Sequence, residues 1–144
     1  MEKRIINCIP LAKTNDEVFK ITYLTMLTEN SVESIKLPTN FNNYKYSHLI
    51  RPDYLLNLEI IKTRKNWILK NILKFQQINQ PACYNDFIKQ SEISKIILKH
   101  LHMEQETNIL SFLIETFQAN PINGLDIKEF EQNLTKSLGF IGRI

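Results

Sequence analysis

A chain of 144 residues suits one large domain or two very small ones, and its 43% hydrophobic, 10% aromatic composition supplies a packed core and argues against disorder. Three glycines leave little material for a glycine-cradled phosphate site, and two cysteines, Cys8 and Cys83, with no short spacing to each other or to a histidine, argue against a zinc centre. The net charge of +3 is uneven: residues 1–80 hold 12 Lys and Arg against 7 Asp and Glu, whereas residues 81–144 hold 6 against 8, so a basic front half and a mildly acidic back half suit different partners.

The opening "MEKRIINCIPLAK" is too short and too weakly apolar for a signal peptide, and no run approaches the ~20 apolar residues of a membrane span, so a cytoplasmic protein is expected. Its "RIINCIPLA" places Ile5, Ile9 and Leu11 at odd spacings, with Pro10 marking an edge or a bulge. "FKITYLTML" alternates Phe19, Ile21 and Tyr23 against Lys20 and Thr22, and "SVESIKL" follows a Glu29-Asn30 turn as the second arm of a hairpin. "PTNFNNYK" is a loop by composition. "YLLNLEIIK" alternates Leu56, Leu58 and Ile60 with Asn57 and Glu59 as a fourth strand, and a polar tip at "TRKN" turns the chain back into "WILKNILKF". This last run fits a helix through Ile68, Ile72 and Phe75, or a strand through Trp67, Leu69, Leu73 and Phe75. The polar tip and the strands before it favour the strand.

Past "NQPA" the apolar period lengthens. "NDFIKQSEISKIILKHLHM" sets Ile93, Ile96, Ile97 and Leu101 on one helical face behind a cap at Asn85 or Asp86, and "TNILSFLIETFQAN" is apolar nearly all round and therefore central. Pro121 and Gly124 punctuate. "DIKEFEQNLTKSLGF" opens with Asp126 and Glu129 in capping-box spacing, runs Ile127, Phe130, Leu134 and Leu138 down one stripe, and stops at Gly139. Three such helices cannot bury a large core alone and must pack on one another and on the barrel. The expected architecture is α+β: a closed, oligonucleotide-binding-fold-like (OB-like) β-barrel over residues 1–80, then a three-helix unit over 81–144.

Catalytic signatures are absent from this sequence. His100 and His102 on a helix point about 200 degrees apart, wrong for a shared metal. The nearest carboxylate pairs, Asp16 with Glu17 and Asp126 with Glu129, suit turn and cap roles. Neither an enzyme nor a cofactor is expected. The basic tip, with Lys62, Arg64, Lys65 and, beyond it, Lys70, concentrates charge of the kind that binds a phosphate backbone without base specificity. Single strands also need flat side chains on which bases stack; Tyr44, Tyr46 and Trp67 are available, with Lys45 and His48 beside the tyrosines. The plainer alternative is a solvated rim and a core tryptophan.

The stretch "INCIPLAKTNDEVFKITYLTMLTENSVESIKLP" resembles the opening of the RecO family of bacterial recombination-repair mediators, piece by piece in "IPLAKTNDE", "YLTMLTENS" and "VESIKLP". The step "HLIRPDYLLNLEI" is similar to the family's entry into its next strand, and "ISKIILKHLHMEQETNILSFLIETFQ" through "FEQNLTKSLGF" to its helical part. The resemblance implies an oligonucleotide-binding barrel and a helical unit. It further implies binding and annealing of single-stranded DNA, assistance in loading RecA, and RecR and the tail of the single-strand-binding protein SSB as partners. Where the family has a basic segment after its third strand, "KLPTN" keeps the lysine, Lys36, and lacks the arginine. The chain stops at Ile144, without the family's usual zinc-module cysteines and later helices, as a short form would. On this reading DNA contacts Lys36, Lys45, Lys62, Arg64, Lys65 and Lys70, with Tyr44 or Tyr46 stacking. Lys95 and Lys99 beside Ile96 would receive the acidic, apolar-ended SSB tail. The competing expectation is an assembly adaptor of barrel and helices that never touches DNA, and charge reversal at Arg64 and Lys65 separates the two.

Overall fold

Alternation along the front half produces five strands: β1 (Lys3–Asp16), β2 (Ile21–Thr28), β3 (Val32–Lys36), β4 (Tyr54–Thr63) and β5 (Asn66–Gln77). The computed structural model describes residues 2–101 and 108–139. The strands close into a barrel in the order β1-β2-β3-β5-β4 and back to β1, antiparallel everywhere except β3 beside β5. That order, with a long β1 shared by both halves of the barrel, is the expected OB-like arrangement. The parallel junction rests on a single pair, Lys36 with Ile68.

Every second residue faces inward. Ile6, Cys8, Leu24, Met26, Ile35, Leu56, Leu58, Ile60, Leu69 and Ile72 fill the barrel, and Phe41, Leu49 and Ile50 from the β3–β4 connection join them. Complete burial of the Cys8 thiol, with the Glu33 charge adding to it, pushes its pKa up, so this cysteine acts as a small core hydrophobe.

Two irregularities explain where alternation alone misplaces side chains. In β1 the register shifts between Pro10 and Ala12, the bulge that Pro10 announces. Ahead of the bulge the inward residues are Ile6 and Cys8. Ile5 faces solvent, and Ile9 and Leu11 point outward toward the helices. In β5, Leu69 pairs with Ile60 and Asn71 with Glu59, then Ile72 with Leu58 and Lys74 with Asn57. Lys70 and Leu73 are the extra residues of two bulges, so Ile72 turns into the core while Leu73 is 46% exposed and Phe75 51% exposed. The expected inward face of Trp67, Leu69, Leu73 and Phe75 thus holds only for its first half.

The helices are α1 (Tyr84–His100), α2 (Ile109–Ala119) and α3 (Ile127–Ser137). Asp126 caps α3 by accepting from the Glu129 N–H at 3.0 Å, and Gly139 follows the helix at φ 74, both as the sequence indicates. The start of α1 differs from expectation. Cys83 occupies the cap position with no side-chain bond, and the buried Asp86 carboxylate reaches back to accept from the Ala82 N–H at 2.9 Å. An acid in the first turn serves the helix dipole from there as well as a cap does.

A second core lies between barrel and helices. Ile9, Leu11, Leu27, Val32 and Ile78 on the outer barrel surface pack against Ile93, Ile97, Leu101, Ile109, Leu110, Leu113, Phe117, Phe130 and Leu134. Polar ties support the junction. The fully buried Asp53 accepts from Arg51 Nε and an Nη at 3.0 Å each and from Gln77 Nε2 at 3.1 Å, while the Arg51 guanidinium lies 5.6 Å from the Phe87 ring centre on α1. Gln90 donates to Asn79 across the linker at 2.9 Å. Among the described residues no helix is long and apolar enough to cross a membrane.

Candidate nucleic-acid interface

The β4–β5 tip is a tight hairpin closed by the pair Thr63 with Asn66, leaving only Arg64 and Lys65 in the loop. Both are exposed, and Arg64 adopts φ 57, a left-handed conformation that glycine takes without strain. Lys20 in the β1–β2 turn does the same at φ 55. At both hairpin tips, then, a cation stands where a glycine would relax the backbone.

The remaining cations lie on the neighbouring strands, Lys62 on β4, Lys36 on β3 and Lys70 on β5. Lys62 pairs with Trp67 across the hairpin, its ammonium 5.9 Å from the indole centre, and the Arg4 guanidinium approaches the same ring at 5.2 Å. Trp67 itself is half-buried, packed against the barrel interior. Lys36 sits opposite Ile68 at the β3–β5 seam, and Lys70 projects from its bulge two residues further on. Among the described residues no carboxylate lies within ion-pair distance of Lys36, Lys62, Arg64, Lys65 or Lys70. Glu59 on β4 feels the charge of Lys70. Its carboxyl is held below the ordinary glutamate value by hydrogen bonds from Asn71 and Lys3, with the Lys70 charge adding a smaller share.

Tyr44, Lys45 and Tyr46 come from the β3–β4 connection, which folds as two short 3-10 turns, Phe41–Asn43 and Ser47–Leu49. The Tyr44 hydroxyl accepts from the Ile72 N–H at 3.2 Å, and its ring stacks on Phe41 with centres 5.9 Å apart. Tyr46 meets Tyr44 edge-on and Phe75 at 5.6 Å, and the Lys45 ammonium lies 5.3 Å from the Tyr46 ring. Both tyrosines are half-buried, fixed members of an aromatic ridge beside the β5 cations.

Phe19 and Tyr23 share one strand face in the sequence, yet β2 begins only at Ile21 and leaves Phe19 in the turn before it. Phe19, 73% exposed, stands at the tip of the β1–β2 turn next to Lys20. Asp16 builds that turn by accepting from the N–H groups of Val18 and Phe19 at 3.0 and 3.1 Å, the turn role its sequence context suggests. Tyr23 is half-buried on the outer sheet face, in one row with Thr14 and Lys36. The helices cover only the Ile9, Leu27 and Val32 end of this face.

The residues expected to receive a peptide tail lie together on α1. Ile96 packs against the barrel–helix core, Lys95 is exposed, and Lys99 lies 3.5 Å from Glu131, which also takes a 2.7 Å contact from His100. The hydrogen bond to His100, supported by the Lys99 charge, holds the Glu131 carboxyl below its ordinary 4.5. A depressed folded-state pKa gives stability that is complete above the ordinary glutamate value and lost as pH falls through the folded value. The thermal midpoint accordingly falls on acidification below about pH 4.5. In Glu131→Gln this part of the pH dependence, followed by circular-dichroism melts, is expected to flatten. His102 lies outside the described residues. Among those described, no three metal-ligating side chains converge.

Compared with models of known protein families and with curated proteins, the chain matches none.

Proposed function

We propose that this chain is a non-catalytic, single-stranded-DNA-binding mediator of recombination and repair, similar to RecO, acting in the bacterial cytoplasm. The observation that carries the reading is the cationic run along one seam of an OB-like barrel: Arg64 and Lys65 at the tip, Lys62 behind them, and Lys36 and Lys70 flanking the β3–β5 junction. Adjacent Tyr44 and Tyr46 supply aromatic surface. Charge for phosphates beside rings for bases is what a non-specific single-strand binder requires. On this reading the strand is bound and annealed, and RecA loading proceeds with RecR and the SSB tail.

The test is anisotropy of a fluorescent single strand across a salt series. Micromolar or tighter binding is expected, with log affinity falling linearly with log salt at about −0.7 per phosphate contacted. A folded sample that fails to bind at low salt sinks the proposal.

One observation favours a second reading, an assembly adaptor that does not bind DNA. Tyr84, Phe87 and Ile88 present exposed apolar surface on the first turns of α1, as a protein-docking face does. The same salt series separates the two.

A further inference from the structure

Where β3 leaves β5 after its single pair, the barrel wall opens into a cavity of about 370 Å³ lined by Pro38, Asn40, Phe41, Asn43, Tyr44, Leu69 and Lys70. From its lining we infer that this cavity is a pocket for one nucleotide of a bound strand, taking an unstacked base against Tyr44 and its phosphate at Lys70. The inference rests on the single-strand reading above and deepens it, from backbone binding to holding a particular base.

The lining carries three kinds of group in the combination a nucleotide needs. Tyr44 is a ring already fixed in place, stacked on Phe41 and anchored through its hydroxyl to the Ile72 N–H. A rigid aromatic loses little entropy when a base stacks on it. Asn40 and Asn43 are exposed and, among the described residues, their side-chain amides make no hydrogen bond; Asn40 precedes the 3-10 turn without capping it. Each amide offers a donor and an acceptor, the pairing used against base edges. Lys70 is raised at the rim by its bulge and lies outside ion-pair distance of any described carboxylate, acting on Glu59 only through its charge.

Position supports the same occupant. The cavity continues the seam on which Lys36 sits, and the Arg64–Lys65 tip lies at the start of the strand that forms one wall. A backbone tracking these cations passes the mouth of the pocket, so the base and the phosphate it takes belong to one chain. A mixed apolar and amide lining with a single cation suits a neutral heterocycle carrying one charged group, and suits a polyanion without bases poorly.

The experiment compares an oligothymidylate with an abasic deoxyribose-phosphate strand of equal length and charge, by anisotropy with the full chain. The abasic strand is expected to bind about five- to a hundredfold more weakly, the range for losing stacking of a base on an aromatic side chain. That gap is expected to narrow in the exposed double variant Asn40→Ala/Asn43→Ala, whereas Lys70→Ala, which removes a phosphate contact both strands share, is expected to weaken both alike. An oligonucleotide bearing 5-iodouracil is expected to photo-crosslink to Tyr44, read by mass spectrometry. Equal affinity for both strands overturns the pocket and leaves the single-strand reading standing. Crosslinks confined to Phe19 or Tyr23 place the base elsewhere and also overturn it. Saturation by micromolar thymidine monophosphate reassigns the site to free nucleotides. Failure of either strand to bind removes this inference together with the reading beneath it.

Discussion

Reversing the charge of the hairpin tip, with Arg64→Glu and Lys65→Glu together, is expected to lower affinity for single-stranded DNA roughly fiftyfold or more at about 50 mM salt and to reduce the salt slope by about 1.4, the loss of two phosphate contacts. Both side chains are exposed in a two-residue loop and bond to nothing that holds the barrel together, so the fold has no stake in their charge. Stability is expected to stay within about 0.5 kcal/mol of the parent, as for other surface changes. The measurement is the same salt series, paired with a denaturant melt of each protein. An unchanged slope in a folded variant would show that the tip is only a solvated turn.

The largest stability effect is expected at Leu113. It is fully buried in the middle of α2 and belongs to the cluster that includes Ile9, Leu11, Leu27 and Val32 of the barrel. Truncation to alanine removes the transfer free energy of the side chain and leaves a cavity walled by both parts of the fold. The expected cost is about 2–5 kcal/mol. Because barrel and helices share this cluster, the variant should melt as one unit at a lower denaturant midpoint, with strand and helix signals moving together. If the strand signal kept its parent midpoint while the helix signal dropped, the shared core would contribute nothing to the barrel.

The sequence made most of this fold legible, and the reasons for its failures are local. Leu56, Leu58 and Ile60 alternate against a single core, so β4 reads directly. The Asp126–Glu129 spacing and Gly139 bracket α3, because caps are chemistry between near neighbours. Bulges are decided by strands far apart in sequence, and nothing in "WILKNILKF" announces that Lys70 and Leu73 will go unmatched on β4. For the same reason Ile72 was not separable from Leu73 as the core residue. Ile5 and Ile9 share one face of β1, yet only Ile9 is covered, because the first of the helices that cover it begins 75 residues later in the chain, at Tyr84. In the candidate interface, charge was visible as composition. The pairing of Tyr44 with Lys70 was not, since it depends on a loop folding back onto a strand about 25 residues away.

A barrel closed by one pair is uneven in its stiffness. Ten ladder pairs join β4 to β5, whereas the β3–β5 ladder has one, Lys36 with Ile68. Breathing of such a ring concentrates at its thinnest link, where opening sacrifices few hydrogen bonds. Just past that link the Tyr44 hydroxyl holds the Ile72 N–H and works as a latch across the gap. The barrel is thus built like a clasp, long-laddered on one side and fastened beside Lys70 by the Tyr44 bond.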